Sequence, residues 1–245
     1  MLRHEVLLVL GVSLGQSAVY SVISLVAKLT AGPPLGQQTA TLNPSQAPGR
    51  PWLDLTYQLT GILFSLVPAL LAVHLLHREP GGARQLLGLN LRRPAFDGLS
   101  GVGLFLLIGV PGLGLYLAAR ALNINATVVP AALPSVWWAV PVLVLSAAQN
   151  AVLEEVVVVG YLVNRLRELG WRTWWAIGAS AVLRGSYHLY QGFGAFVGNA
   201  IMGVVFGLFY RYTKRLLPLV IAHTLLDVVS FVGYALLHDR LGFLR

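Results

Sequence analysis

Apolar positions along this chain fall in long blocks, with none of the strict alternation of a half-buried strand. Hydropathy separates seven of them, at 6–29, 53–76, 97–119, 136–164, 173–190, 194–210 and 216–237. Each is at or near the roughly 20 residues that cross a hydrocarbon core of about 30 Å. The pattern predicts an all-α, polytopic transmembrane helix bundle of about seven spans, eight if a re-entrant piece is present. It reads as one integral membrane domain, residues 1–245, with peripheral spans in 1–135 and a core bundle in 136–237. Residues 31–51 are rich in Pro, Gly, Gln, Thr and Ser and read as a flexible exposed loop.

Composition agrees with the lipid-facing reading: 56% of residues are hydrophobic and 11% charged, against roughly 25% charged in a soluble domain. The net charge of +8 comes from 17 Lys and Arg against 9 Asp and Glu. These cations sit in short loops between apolar blocks, so they read as topogenic signals, and nucleic acid is excluded as a partner. With the N-terminus in the cytoplasm, 11 cations lie inside, including Arg78, Arg84, Arg165, Arg167, Arg211, Lys214 and Arg215. Five lie outside: Lys28, Arg50, Arg120, Arg240 and Arg245. The positive-inside rule favours this orientation. The first block, after Arg3 and His4, is too long for a signal-peptide core and is expected to be an uncleaved span. Without cysteine the chain has no disulfides or thiolate sites.

Small residues at Gly11/Gly15, Gly194/Gly198 and Gly203/Gly207 permit close helix approach in lipid. Pro68 and Pro111 are expected to mark kinks. His74 and His77, beside Arg78, are given interfacial rather than chemical roles.

Against this background the ionisable residues of the later spans stand out, because a charge at the centre of a spanning helix costs at least about 2.5–3.5 kcal/mol. The fourth block holds Glu154-Glu155, the fifth Arg184 and His188, and the seventh His223 and Asp227. Adjacent carboxylates on an α-helix stand about 100° apart, so Glu154 and Glu155 are expected to face different neighbours. Arg184/His188 and His223/Asp227 are i,i+4 pairs, each presenting two polar groups on one face. Three helices can therefore aim carboxylates and imidazoles at one interior point, the donor set of a metal site or of a glutamate-activated water.

The run Glu154-Glu155, then Gly160-Tyr161-Leu162, then His188, then His223-x-x-x-Asp227 resembles the CPBP family. These are the CAAX-prenyl-protease and bacteriocin-processing (Abi) intramembrane endopeptidases, and the likeness covers roughly residues 140–235. The chain departs from the family pattern at three positions: Val159 stands where the family has arginine, Arg184 where it has phenylalanine, and Asp227 where it has asparagine. Arg184, from the next helix, could supply the missing cation to Glu155.

The resemblance implies a catalytic set of Glu154, His188, His223 and Asp227, supported by Glu155 and Arg184. Glu154 with His188 would activate the water, and His223 with its partner would serve the oxyanion or a divalent metal such as zinc. An ionised Asp227 accepts hydrogen bonds only. It would therefore orient His223 or join Glu154, His188 and His223 around the metal, unless it is protonated and faces the oxyanion directly.

Counted from the span ends at about 1.5 Å per residue, Glu154, His188 and His223 fall at different depths. Tilt, a shifted boundary or an interruption of the fifth block near Gly185 and Ser186 would align them. Residues 187–194 would then line a water-filled cavity. The expected substrate is a peptide or membrane protein taken from the bilayer, in a multi-pass protein of a bacterial plasma membrane. Two other classes compete: a catalytically degenerate interaction or peptide-binding protein, favoured by Val159, and a proton-coupled transporter.

Overall fold

The computed structural model describes residues 1–237; Arg240 and Arg245, two of the cations expected outside, lie outside the described residues. Helices dominate, in the order α1 (Leu2–Gly11), α2 (Leu14–Leu29), α3 (Pro51–Ser65), α4 (Val67–Leu76), α5 (Gly82–Leu86), α6 (Pro94–Ala121) and α7 (Ala139–Glu154). A π-helical segment, Glu155–Leu162, then joins α7 to α8 (Val163–Glu168), and α9 (Thr173–Ser186), α10 (Phe193–Thr213) and α11 (Leu217–Leu237) follow. Pro51 and Pro94 open α3 and α6 from the first turn, where the missing N–H would be unpaired anyway.

The rod formed by α7, the π segment and α8 is the axis of the bundle. Of its most apolar stretch 61% is buried, against 11–33% for the other long spans. Around it, α11 packs on α7 and α6, α9 and α10 form a hairpin, and α4 lies against the π segment. Gly203 and Gly207 let α10 close on Ala181 and Ile177 of α9, and Gly194 and Gly198 face Ala119 and Leu115 of α6. Gly15 lets the start of α2 close on Leu10 at the end of α1, whereas open space surrounds Gly11.

Five helices among the described residues are long and apolar enough to cross a membrane, or six if the α1/α2 pair, bent by 51°, counts as one span. The difference from seven arises at α9. With 14 residues it is about 21 Å long, short of the roughly 30 Å core. It ends after Gly185 and Ser186, a turn of 3₁₀ helix covers Leu189–Gln191, and Gly192 at φ +124° redirects the chain into α10. A side chain would be strained at that φ. Pro68 falls where α3 breaks into α4, whereas Pro111 stays inside the continuous α6.

Residues 31–51 are not a featureless loop. Strand β1 (Thr39–Thr41) pairs in parallel with β2 (Thr127–Val129), Leu35 and Ala40 are buried, and Asn43 bonds the Pro130 carbonyl and Ser146. Backbone pairing with a distant segment and one bridging asparagine order a sequence whose composition alone suggests none.

Candidate active site

The end of α7, the start of the π segment, the end of α9 and the middle of α11 bring one polar cluster into the bundle. Glu155 and Arg184 are fully buried, and His223 is 5% exposed. All eight residues of the π segment are buried. A π turn leaves carbonyls out of α-helical register, and two of them find side chains: Ser180 donates to the Val158 carbonyl at 2.8 Å, and Asn164 to that of Gly160.

The two carboxylates share neighbours, contrary to the expectation from α-helical geometry. Arg184 Nη2 donates to Glu155 Oε1 at 2.6 Å, while Nη1 stands 3.7 Å from Glu154 Oε2. His223 likewise touches both, with Nδ1 2.7 Å from Glu155 Oε1 and Nε2 4.0 Å from Glu154 Oε2. Both residues keep α-helical dihedrals, so it is the partners, Arg184 and His223, that span the angle between the two heads by each reaching both.

Arg184 thus delivers from α9 the cation that Val159 does not provide from its own helix. Val159 is itself completely buried, where an apolar side chain needs no partner.

Asp227 does not orient His223 in the way considered above, since the ring's Nδ1 is taken by Glu155. Asp227 Oδ1 is 3.8 Å from Nε2, and Asn150 Nδ2 reaches Asp227 Oδ2 at 3.5 Å. His188 follows the end of α9, its Nδ1 3.0 Å from the Arg184 carbonyl, so Nε2 is the nitrogen left for a water or substrate. The interruption at Gly185 and Ser186 places it beside the cluster, which answers the mismatch of depths. Tyr187, the first residue of the segment expected to line the cavity, donates its hydroxyl to Glu154 Oε2 at 2.7 Å, and its ring lies 4.8 Å from that of His188.

Two further polar groups were within reach of the sequence in part. Asn150 precedes Glu154 by four residues, so it shares its helix face. The sequence placed Tyr187 only as part of the segment lining the cavity, because it sits where the helix ends and helical periodicity no longer applies.

A divalent cation needs donors that can close to about 2.0–2.2 Å around it. Among the described residues no group of three or more His, Cys, Asp or Glu side chains could hold a metal ion. Each of the two histidines already directs Nδ1 at a protein acceptor, and His223 Nε2 stands 3.8–4.0 Å from Asp227 and Glu154. The four donors named for zinc do not form such a group as arranged here.

Residues 136–229 match the sequence model of the family described as type II CAAX prenyl endopeptidase Rce1-like. The matched segment runs from just before α7 into α11 and contains every residue of the polar cluster. No curated protein and no solved structure matches the chain.

Proposed function

With an Rce1-like domain of the CAAX-protease family at residues 136–229 as the premise, we propose that the chain is an intramembrane endopeptidase using a water activated by Glu154. The observation that carries this reading is the convergence of four residues from three separate helices: Arg184 and His223 both hydrogen-bond Glu155 and both stand within 4.0 Å of Glu154. Glu154 is the base: it takes a proton from the water, whose oxygen attacks the scissile carbonyl, and returns the proton to the leaving amine. Tyr187 fixes one oxygen of that carboxylate.

Glu155, bonded by Arg184, is the supporting carboxylate that holds His223 by Nδ1. His223, as an imidazolium, then presents Nε2–H to the oxyanion of the tetrahedral intermediate. The gaps of 3.8 and 4.0 Å from this nitrogen to Asp227 and Glu154 suit a bridging water better than direct contact. His188 Nε2 completes the pocket for water and substrate. The substrate class is a peptide or membrane protein reaching the site from the bilayer, with the N-terminus of the chain in the cytoplasm. No step is assigned to a metal.

The second reading, a peptide-binding bundle without turnover, rests on Val159 in the family's arginine position. The Arg184–Glu155 bond supplies the same charge from another helix and favours catalysis. Cleavage of a panel of membrane peptides by the purified wild type and Glu154→Gln decides between them. Loss of a general base predicts a fall of about 10²–10⁴-fold with the unfolding transition unchanged. Full cleavage by the variant would remove Glu154 from its role, and loss of wild-type activity on chelation would bring a metal back into the mechanism.

A further inference from the structure

Several basic residues at the cation-rich end of the bundle already have acidic partners. Arg165 is paired with Glu5, Glu79 and Glu168. Arg215 is held bidentately by Asp97 and also bonds Asn90. Three others are placed differently. Arg167, Arg211 and Lys214 line one cavity of about 260 Å³ together with Asn164, Thr173 and Tyr210, and no acidic side chain lines it.

None of the three cations has an acid among its contacts there. Arg167 gives one Nη1 bond to the Trp171 carbonyl. The Arg211 guanidinium lies over the rings of Trp174 and Tyr212 at 5.2 and 5.3 Å, and its Nη1 is buried without a hydrogen-bond partner among the described residues. Lys214 Nζ stands 5.6 Å from the Tyr210 ring. Thr173 is the first residue of α9, so the cavity also touches the N–H-rich, positive end of a helix.

Three cations, a helix N-terminus and an unpaired buried guanidinium nitrogen call for a compact anion with several acceptor oxygens, and a phosphate group meets all of them. At about 30 Å³ per water in the liquid, the cavity is large enough for that group and part of what it is attached to. Its surroundings name the source. Trp171, Trp174 and Tyr212, which touch Arg167 and Arg211, are all exposed, and exposed Trp and Tyr at helix ends mark the headgroup level of a bilayer. Basic pockets between membrane helices at that level suit anionic headgroups. We propose that Arg167, Arg211 and Lys214, with Thr173, form a binding site for the phosphate of an anionic lipid headgroup, bridging α8, α9 and α10.

The test uses the full chain, purified into phosphatidylcholine nanodiscs, with phosphatidylglycerol or inorganic phosphate added. Retained lipid is counted by native mass spectrometry, and the unfolding midpoint is followed in parallel. The wild type is expected to prefer phosphatidylglycerol over phosphatidylcholine by tenfold or more and to be stabilised by it. The double variant Arg211→Gln, Lys214→Asn should lose the preference; asparagine tolerates the φ of +54° at position 214. Arg211→Gln alone serves if the double variant does not assemble. Arg92→Gln, the same single charge change as Arg211→Gln but at an exposed position, should keep the preference. Equal binding of the two lipids by wild type, or a preference that survives in the folded variants, overturns the site. Tight binding of inorganic phosphate with no discrimination between lipids overturns the lipid as its source.

Discussion

Two buried arginines organise two regions of this molecule in opposite ways. Arg165, 2% exposed, directs Nε and Nη1 at Glu5, Glu79 and Glu168 and Nη2 at the Leu75 carbonyl, and its guanidinium lies over the Tyr161 ring. The three carboxylates keep 26–35% of their side chains exposed. The result is a saturated clamp, tying α1 and the end of α4 to α8, with water at hand for its acids. Arg184 is fully buried, bonds Glu155 through Nη2 alone, and keeps Nε and Nη1 without hydrogen-bond partners among the described residues, as does Glu155 its Oε2. A saturated network resists change and a partly satisfied one invites further partners. That contrast separates a structural latch from a centre able to receive water and a substrate carbonyl.

The largest effect that could break the comparison is at Arg184. Arg184→Ala and Arg184→Phe each leave the buried Glu155 with His223 as its one remaining partner among the described residues and should lower stability by about 3–5 kcal/mol. Chemical unfolding in detergent reads this, with cleavage lost in parallel; folding and activity unchanged in both variants would show the pair to be dispensable. Arg165→Ala should cost less, about 1–3 kcal/mol over three pairs whose acids remain hydrated. Its network alone should weaken as salt is raised, which unfolding measured at two ionic strengths would show. The smallest change is Tyr187→Phe. It removes one hydrogen bond to Glu154 and should reduce turnover roughly tenfold, about 1.4 kcal/mol of barrier, while the unfolding midpoint moves less than in either arginine variant. A loss of stability without a loss of turnover would move Tyr187 out of the site.

Sequence carried most of this architecture because lipid imposes a simple code: apolar blocks of spanning length, and few charges unless something answers them. Glu154, Glu155, Arg184, His188, His223 and Asp227 were all visible as charges or imidazoles where hydrocarbon is expected, and the structure gathers them in one region. Periodicity misled wherever the backbone left the α-helix. It assigned a full span to 173–190, although the helix ends at Ser186 and gives way to a 3₁₀ turn at Leu189–Gln191. The Tyr187–Glu154 bond and the β1/β2 pairing were illegible for a related reason. Each depends on where an irregular stretch meets a residue far away in the chain, and composition carries no trace of that.

The π segment also sets a phase. It lies between Glu154, which faces α9 and α11, and Arg165, which faces α1 and α4, on what is otherwise one continuous rod. In an uninterrupted α-helix the direction of one of these residues would fix the direction of the other. Eleven residues of α-helix would point the two side chains in nearly one direction. The widened turns set another phase, so the face carrying Glu154 is turned away from the clamped face of Arg165 on the same rod.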